Sequence, residues 1–166
     1  MDLGATLCTR TKPRCAGCPV ARDCAARALG TPEQFPVRGV KRPRPLRHTV
    51  MLMIRDRRGH VLLARRPARG LWGGLWSLPE TAAPEAAARQ MRADYGLRIA
   101  LEAPWPPSAH DFTHFGLLIT PGPARVLGEP PPWLENAATV WYNAGSPGRR
   151  GFSAPVKQLL QQLRGR

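Results

Sequence analysis

The residues best equipped for chemistry in this 166-residue chain are its four cysteines, Cys8, Cys15, Cys18 and Cys24. They run Cys8-x6-Cys15-x2-Cys18-x5-Cys24 in one short polar loop, with no cysteine elsewhere. Four thiols in so compact a stretch point to a metal or cluster site. Zinc folds usually present two close pairs of the C-x2-4-C kind. Here only Cys15 and Cys18 form a close pair, and the wider stand-off of Cys8 and Cys24 suits a chain wrapped around a larger iron–sulfur cluster. Pro13 and Pro19 hold off regular helix until about residue 20, and a short helix over 20–29 is expected to stop at Gly30.

The charge around those cysteines narrows the partner. The chain carries 25 basic and 11 acidic residues, a formal net charge of +14. Residues 1–47 hold ten basic and three acidic side chains, half of that excess in under a third of the length. Such density favours a polyanion, nucleic acid being the commonest. The plainer alternative is an arginine-rich surface with no partner. Met1-Asp2 opens no signal peptide, and no apolar run approaches the ~20 residues of a membrane span. A cytoplasmic setting follows, where thiols serve as ligands more often than as disulfides. Apolar residues make up 43% of the chain, enough for a buried core.

The elements that position these residues fall into three stretches. Residues 1–29 hold the cysteine loop, and residues 30–47 (GTPEQFPVRGVKRPRPLR) form a basic, Pro-rich linker without hydrophobic period. From His48 the pattern changes: HTVMLMI reads as a strand, DRRG as a turn and HVLLA as a second strand of a hairpin. Residues 84–95 have helical composition, with Gly96 placed to end that helix. GLLI, RVL and ATVWY read as strands. A final helix, capped by Ser153, places Val156, Leu159, Leu160 and Leu163 at i, i+3, i+4 and i+7, a stripe that must be buried.

Two resemblances emerge. The cysteine spacing, with basic residues in its first gap, is similar to the [4Fe–4S] loop of the endonuclease III and adenine glycosylase superfamily. The resemblance implies a [4Fe–4S] cluster on Cys8, Cys15, Cys18 and Cys24, with Arg10, Lys12 and Arg14 as DNA phosphate contacts; the bland alternative for those three is a solvated charged loop. Residues 48–166 resemble a Nudix-like domain, with Gly74-x5-Glu80 matching the opening of the Nudix box and Arg89 to Leu97 overlaying its end with one extra residue in the gap. The carboxylates that hold magnesium there become Gln90, Ala93 and Asp94. Only Asp94 keeps a cation ligand at those positions, so the box is expected to be a relic of fold, with Glu80 structural or at the surface.

A cluster loop followed by a degenerate Nudix domain resembles the C-terminal part of a MutY-type adenine DNA glycosylase. The resemblance rests on the cysteine spacing, PARGLWGGLWSLPE, HDFTHF, VWYN and APVKQLLQQL, and spans nearly the whole chain. It implies an α+β architecture of a short helical iron–sulfur loop, a basic linker and a Nudix-like α/β/α sandwich. It implies a double-stranded DNA partner carrying 8-oxoguanine opposite adenine, in a bacterial, DNA-associated setting. Phe112, Thr113 and His114 match the family's Phe-Ser-His reading turn. Oxidation turns guanine N7 from an acceptor into a donor, so a reader needs an acceptor, which the Thr113 hydroxyl keeps. Without the resemblance, these three residues read as a strand-edge turn. No stretch matches the helix–hairpin–helix domain that carries the family's catalytic carboxyls, so no catalytic residue is assigned, and a separate N-terminal glycosylase domain is an expected partner. The competing functions are a free-standing module that senses oxidised bases, and a Nudix nucleotide hydrolase with a metal-binding extension.

Overall fold

The computed structural model describes residues 3–35, 37, 43–146 and 148–164. Residues 36 and 38–42 of the expected linker, and Asp2, lie outside them. The chain divides into two compact units, Met1–Pro43 and Arg44–Arg166, each described by itself.

The first unit has little regular structure. Helix α1 (Leu3–Thr6) leads into the cysteine loop, and helix α2 covers only Ala25–Ala28. The helix expected over 20–29 is therefore shorter, because residues 18–23 form turns and Cys24 is extended at φ −86° and ψ 106°. Gly30 does end it. At φ +68° it donates its N–H to the Arg27 carbonyl while Thr31 donates to the Ala26 carbonyl, a Schellman closure.

The second unit is built on one mixed eight-stranded sheet. Strand β1 (Leu46–Arg55) is central. On one side it pairs antiparallel with β2 (Val61–Arg65), which pairs with β3 (Trp76–Ser77) and β8 (Thr139–Tyr142). On the other it runs parallel to β7 (Gly116–Val126), in register from Leu46 opposite Gly116 to Arg55 opposite Arg125. Strands β5 (Ile99–Leu101) and β6 (Ser108–Asp111) flank β7, and β4 (Glu80–Thr81) pairs with β1. The β1–β2 turn is set by Asp56, whose Oδ1 accepts from the Arg58 and His60 amides at 2.8 Å each.

Side chains of β1 alternate between two cores. Val50, Leu52 and Ile54 join Leu62, Leu97, Ala124 and helix α3 (Pro84–Tyr95), which contributes Ala87 and Met91. Met51 and Met53 point to the other face, with Leu63, Leu78, Ile119 and helix α4 (Ala154–Arg164), which contributes Val156, Leu159 and Leu160. Helices thus cover both faces of one sheet, an α/β/α sandwich within the expected α+β class. That is why residues 50–54 are buried without interruption rather than alternately.

Three local expectations change. β1 starts at Leu46, two residues before the strand read from His48, and its first three residues are exposed. GLLI and RVL are one strand, β7, running through Pro121 and Pro123. The carbonyls of these prolines accept from Trp105 at 3.0 Å and Glu102 at 2.9 Å, on the side away from β1. Their missing N–H groups face that same side, between β5 and β6, so the β1–β7 ladder is intact. Ser153 does not cap α4 through its side chain: its Oγ is buried and has no hydrogen-bond partner among the described residues, while its carbonyl accepts from Lys157 at 3.0 Å. Among the described residues, no helix is long and apolar enough to cross a membrane.

Candidate nucleic-acid interface

Each unit carries one candidate surface. In the first, Cys8, Cys15, Cys18 and Cys24 all line one small cavity of about 50 Å³, whose other walls include Leu7, Ala21, Pro32 and Phe35. Among the described residues, no three His, Cys, Asp or Glu side chains are grouped so as to hold one metal ion. All four are free thiols, Cys8 exposed and Cys15, Cys18 and Cys24 partly buried. Of the basic residues in the first gap, Arg10 and Lys12 are exposed. Arg14 is exposed too, but its Nη2 donates to the Thr6 carbonyl at 2.7 Å, which ties its head back to α1.

In the second unit the HDFTHF segment folds as the end of β6 and the tight turn that leads into β7. Phe112 donates its amide to the Phe115 carbonyl at 2.9 Å, leaving Thr113 and His114 exposed at the tip. Phe112 is not a free wedge. Its ring stacks on Phe115 at 4.6 Å between centroids and meets His110 edge-on at 4.8 Å and Trp72 at 5.5 Å. Two cations not singled out in the sequence sit at this turn. Arg47 lies over the Phe115 ring at 4.5 Å, and Arg44 Nη1 donates to the Phe112 carbonyl at 3.2 Å. A rigid aromatic base, two exposed polar side chains and two held guanidinium groups can press against a nucleic-acid backbone and present hydrogen-bonding atoms to a base.

Trp72 belongs to the GLWGG segment and adopts φ +55°, the one left-handed non-glycine residue among those described. Gly73 beside it is obligatory, since a Cβ there would lie 2.2 Å from the Ala68 carbonyl oxygen. The glycines thus let the loop turn tightly enough to set the Trp72 indole against His110 and Phe112. The sequence signal was present in the clustered glycines, but not where the indole would point.

The degenerate box lies elsewhere on the domain. Glu80 is half-buried and ion-paired with Arg66 Nη1. Gln90 donates to the Glu80 carbonyl at 3.1 Å, and Asp94 is exposed. Glu80 and Tyr95 line an open cavity of about 200 Å³ with Arg65 and Arg66. Burial, then the charges of Asp94 and Glu80, raise the Tyr95 phenol above its ordinary 10.0. A guanidinium thus occupies Glu80, and among the described residues no three His, Cys, Asp or Glu side chains are grouped so as to hold a metal ion.

Comparison with known proteins bears on the fold and the family. The adenine DNA glycosylase of Buchnera aphidicola subsp. Acyrthosiphon pisum (strain APS) is 26% identical over 164 residues, covering 99% of this chain and 46% of that protein. The chain thus spans about half the length of the curated relatives it matches. Among solved structures, the MutT protein of Methanosarcina mazei Go1 superposes with a TM-score of 0.59 at 17% identity, covering 75% of this chain and 97% of that one. The C-terminal domain of mouse MUTYH, solved with human PCNA, superposes with a TM-score of 0.55 at 18% identity, covering 71% and 86%. These two likenesses carry the fold. Residues 50–162 match the NUDIX domain family, so the chain belongs to that family.

Proposed function

We propose that residues 1–166 are the recognition part of an A/G-specific adenine DNA glycosylase, binding duplex DNA that carries 8-oxoguanine opposite adenine. The observation that carries this is the turn at Thr113 and His114: exposed, backed by stacked Phe112 and Phe115, and flanked by Arg44 and Arg47. The Thr113 hydroxyl, or a neutral imidazole nitrogen of His114, accepts the N7–H that only the oxidised base offers. A hydroxyl also donates to ordinary guanine N7, so discrimination is graded rather than absolute. The β-branched Thr113 is stiffer about χ1 than the family's serine, which favours one hydroxyl position. Arg44 and Arg47 neutralise phosphates on either side of the turn.

In the first unit, Cys8, Cys15, Cys18 and Cys24 hold a [4Fe–4S] cluster, a reading supported by the cavity all four line. The four thiolates would hold the cluster, and it would supply a brace for the loop rather than bond chemistry. Arg10 and Lys12 then face phosphates, while Arg14, through its bond to Thr6, stiffens the loop that presents them. Adenine excision requires a general acid and a stabilising carboxylate around a flipped base. We assign neither within residues 1–166, so these residues bind and recognise without excising.

Competition binding tests the reading. Purified protein, with iron content matched to four per chain, is titrated with duplexes holding 8-oxoguanine or guanine opposite adenine. Tighter binding of the oxidised duplex, with no adenine released and no magnesium-dependent hydrolysis of nucleoside triphosphates, is expected. Equal binding of both duplexes would refute lesion recognition, and nucleotide hydrolysis would favour the hydrolase reading.

A further inference from the structure

The Arg66–Glu80 pair does more than neutralise two charges. Arg66 reaches three things at once: Nη1 pairs with the Glu80 carboxylate on β4, Nε donates to the Leu71 carbonyl at 2.9 Å, and the guanidinium lies 5.8 Å from the Trp72 ring centroid. Its backbone amide adds a bond to the Leu75 carbonyl at 2.9 Å, and the Gly74 amide reaches the Pro67 carbonyl at 3.1 Å. Ser77 Oγ donates to the same Glu80 oxygen at 3.4 Å. The loop over residues 67–75 is therefore closed at its neck by the backbone and pinned from inside by one guanidinium. What it holds in place is Trp72, in a backbone conformation that non-glycine residues disfavour. The Trp72 indole stands 5.7 Å from His110 and 5.5 Å from Phe112, and Phe112 stacks on Phe115 across the exposed turn.

We infer that Arg66 and Glu80 are positioning residues for the Thr113–His114 turn, acting through the 67–75 loop and the Trp72 indole. The inference rests on the lesion-reading role proposed for that turn. The acidic residue that opens the box is taken up by an internal cation, and the pair sets the aromatic platform beneath the reading residues. Both side chains are about three-quarters buried, at 24% and 26% exposure, so neither partner is easily solvated once the other is removed. An indole in the left-handed region then relaxes, and the ring contacts that fix Phe112 loosen with it.

The test uses the chain 1–166 with its cluster, as Glu80→Gln, Arg66→Ala and Arg66→Lys. Three quantities are read: affinity for 8-oxoguanine and guanine duplexes, the thermal midpoint, and the amide resonances of Thr113 and His114. Glu80→Gln and Arg66→Ala are expected to cut the preference for the oxidised duplex about tenfold, with affinity for the ordinary duplex within about twofold. Arg66→Lys should restore part of the preference, because an ammonium keeps the charge but not the fork that serves Glu80 and Leu71 together. The turn's amide resonances should move in the first two variants. A folded Glu80→Gln protein with unchanged preference and unmoved turn resonances would overturn the inference. Should Arg66→Ala not fold, the near-isosteric Glu80→Gln decides. Should the wild type show no preference, the reading role fails, while the turn resonances in Glu80→Gln still settle the coupling.

Discussion

At the scale of single residues, what matters here is which polar groups are held and which are free. Glu80 is held by Arg66, Arg14 by Thr6, and Arg44 by the Phe112 carbonyl, while Thr113 and His114 project from the surface. Tyr95 gives a measurable consequence. Burial, Asp94 and Glu80 all favour its neutral phenol, so its folded pKa lies above the ordinary 10.0. The folded state then holds that proton more tightly than the unfolded chain. Its contribution is complete below about pH 10 and is lost as pH rises through the folded value. Absorbance titration should find Tyr95 ionising late, and Tyr95→Phe should flatten the fall in stability above pH 10. Ionisation at or below 10 would contradict the environment described. Little of this was legible beforehand: Arg66 and Glu80 lie 14 positions apart with nothing local to link them, and Arg44 and Arg47 looked like linker charge.

At the scale of elements, periodicity carried well. The helix over 84–95, its end at Gly96, the buried stripe of α4 and the β1–β2 hairpin all follow from spacing. β7 did not: GLLI and RVL read as separate strands, and only the sheet shows them joined through Pro121 and Pro123, whose nitrogens face away from β1. The 67–75 loop was legible as glycine-rich but not as a support for the turn at 112–115, since that depends on a backbone angle at Trp72. Gly96 offers a clean check. It sits at φ +66°, and an added Cβ would lie 3.0 Å from the Trp133 ring and 3.2 Å from Pro131. Gly96→Ala should lower unfolding free energy by about 1–2 kcal/mol in denaturant titration. An unchanged value would mean the helix end tolerates a different backbone.

At the scale of the whole molecule, two units share one strongly basic chain. The cysteine spacing was readable because four thiols leave no other cysteine to confuse them. The buried residues described all belong to the sheet domain, so damage to the cysteine loop need not spread to it. Cys15→Ser should lower iron content and DNA affinity while the thermal transition of the sheet domain stays in place; loss of that transition would contradict two independent units. The most direct test of the central claim is the ratio of dissociation constants for duplexes holding guanine and 8-oxoguanine opposite adenine, measured for wild type and for Thr113→Ala at fixed salt. The ratio should exceed one in the wild type and fall by several-fold in the variant, with affinity for the ordinary duplex nearly unchanged. An equal loss of affinity for both duplexes, leaving the ratio where it was, would contradict the reading of this turn as the lesion reader.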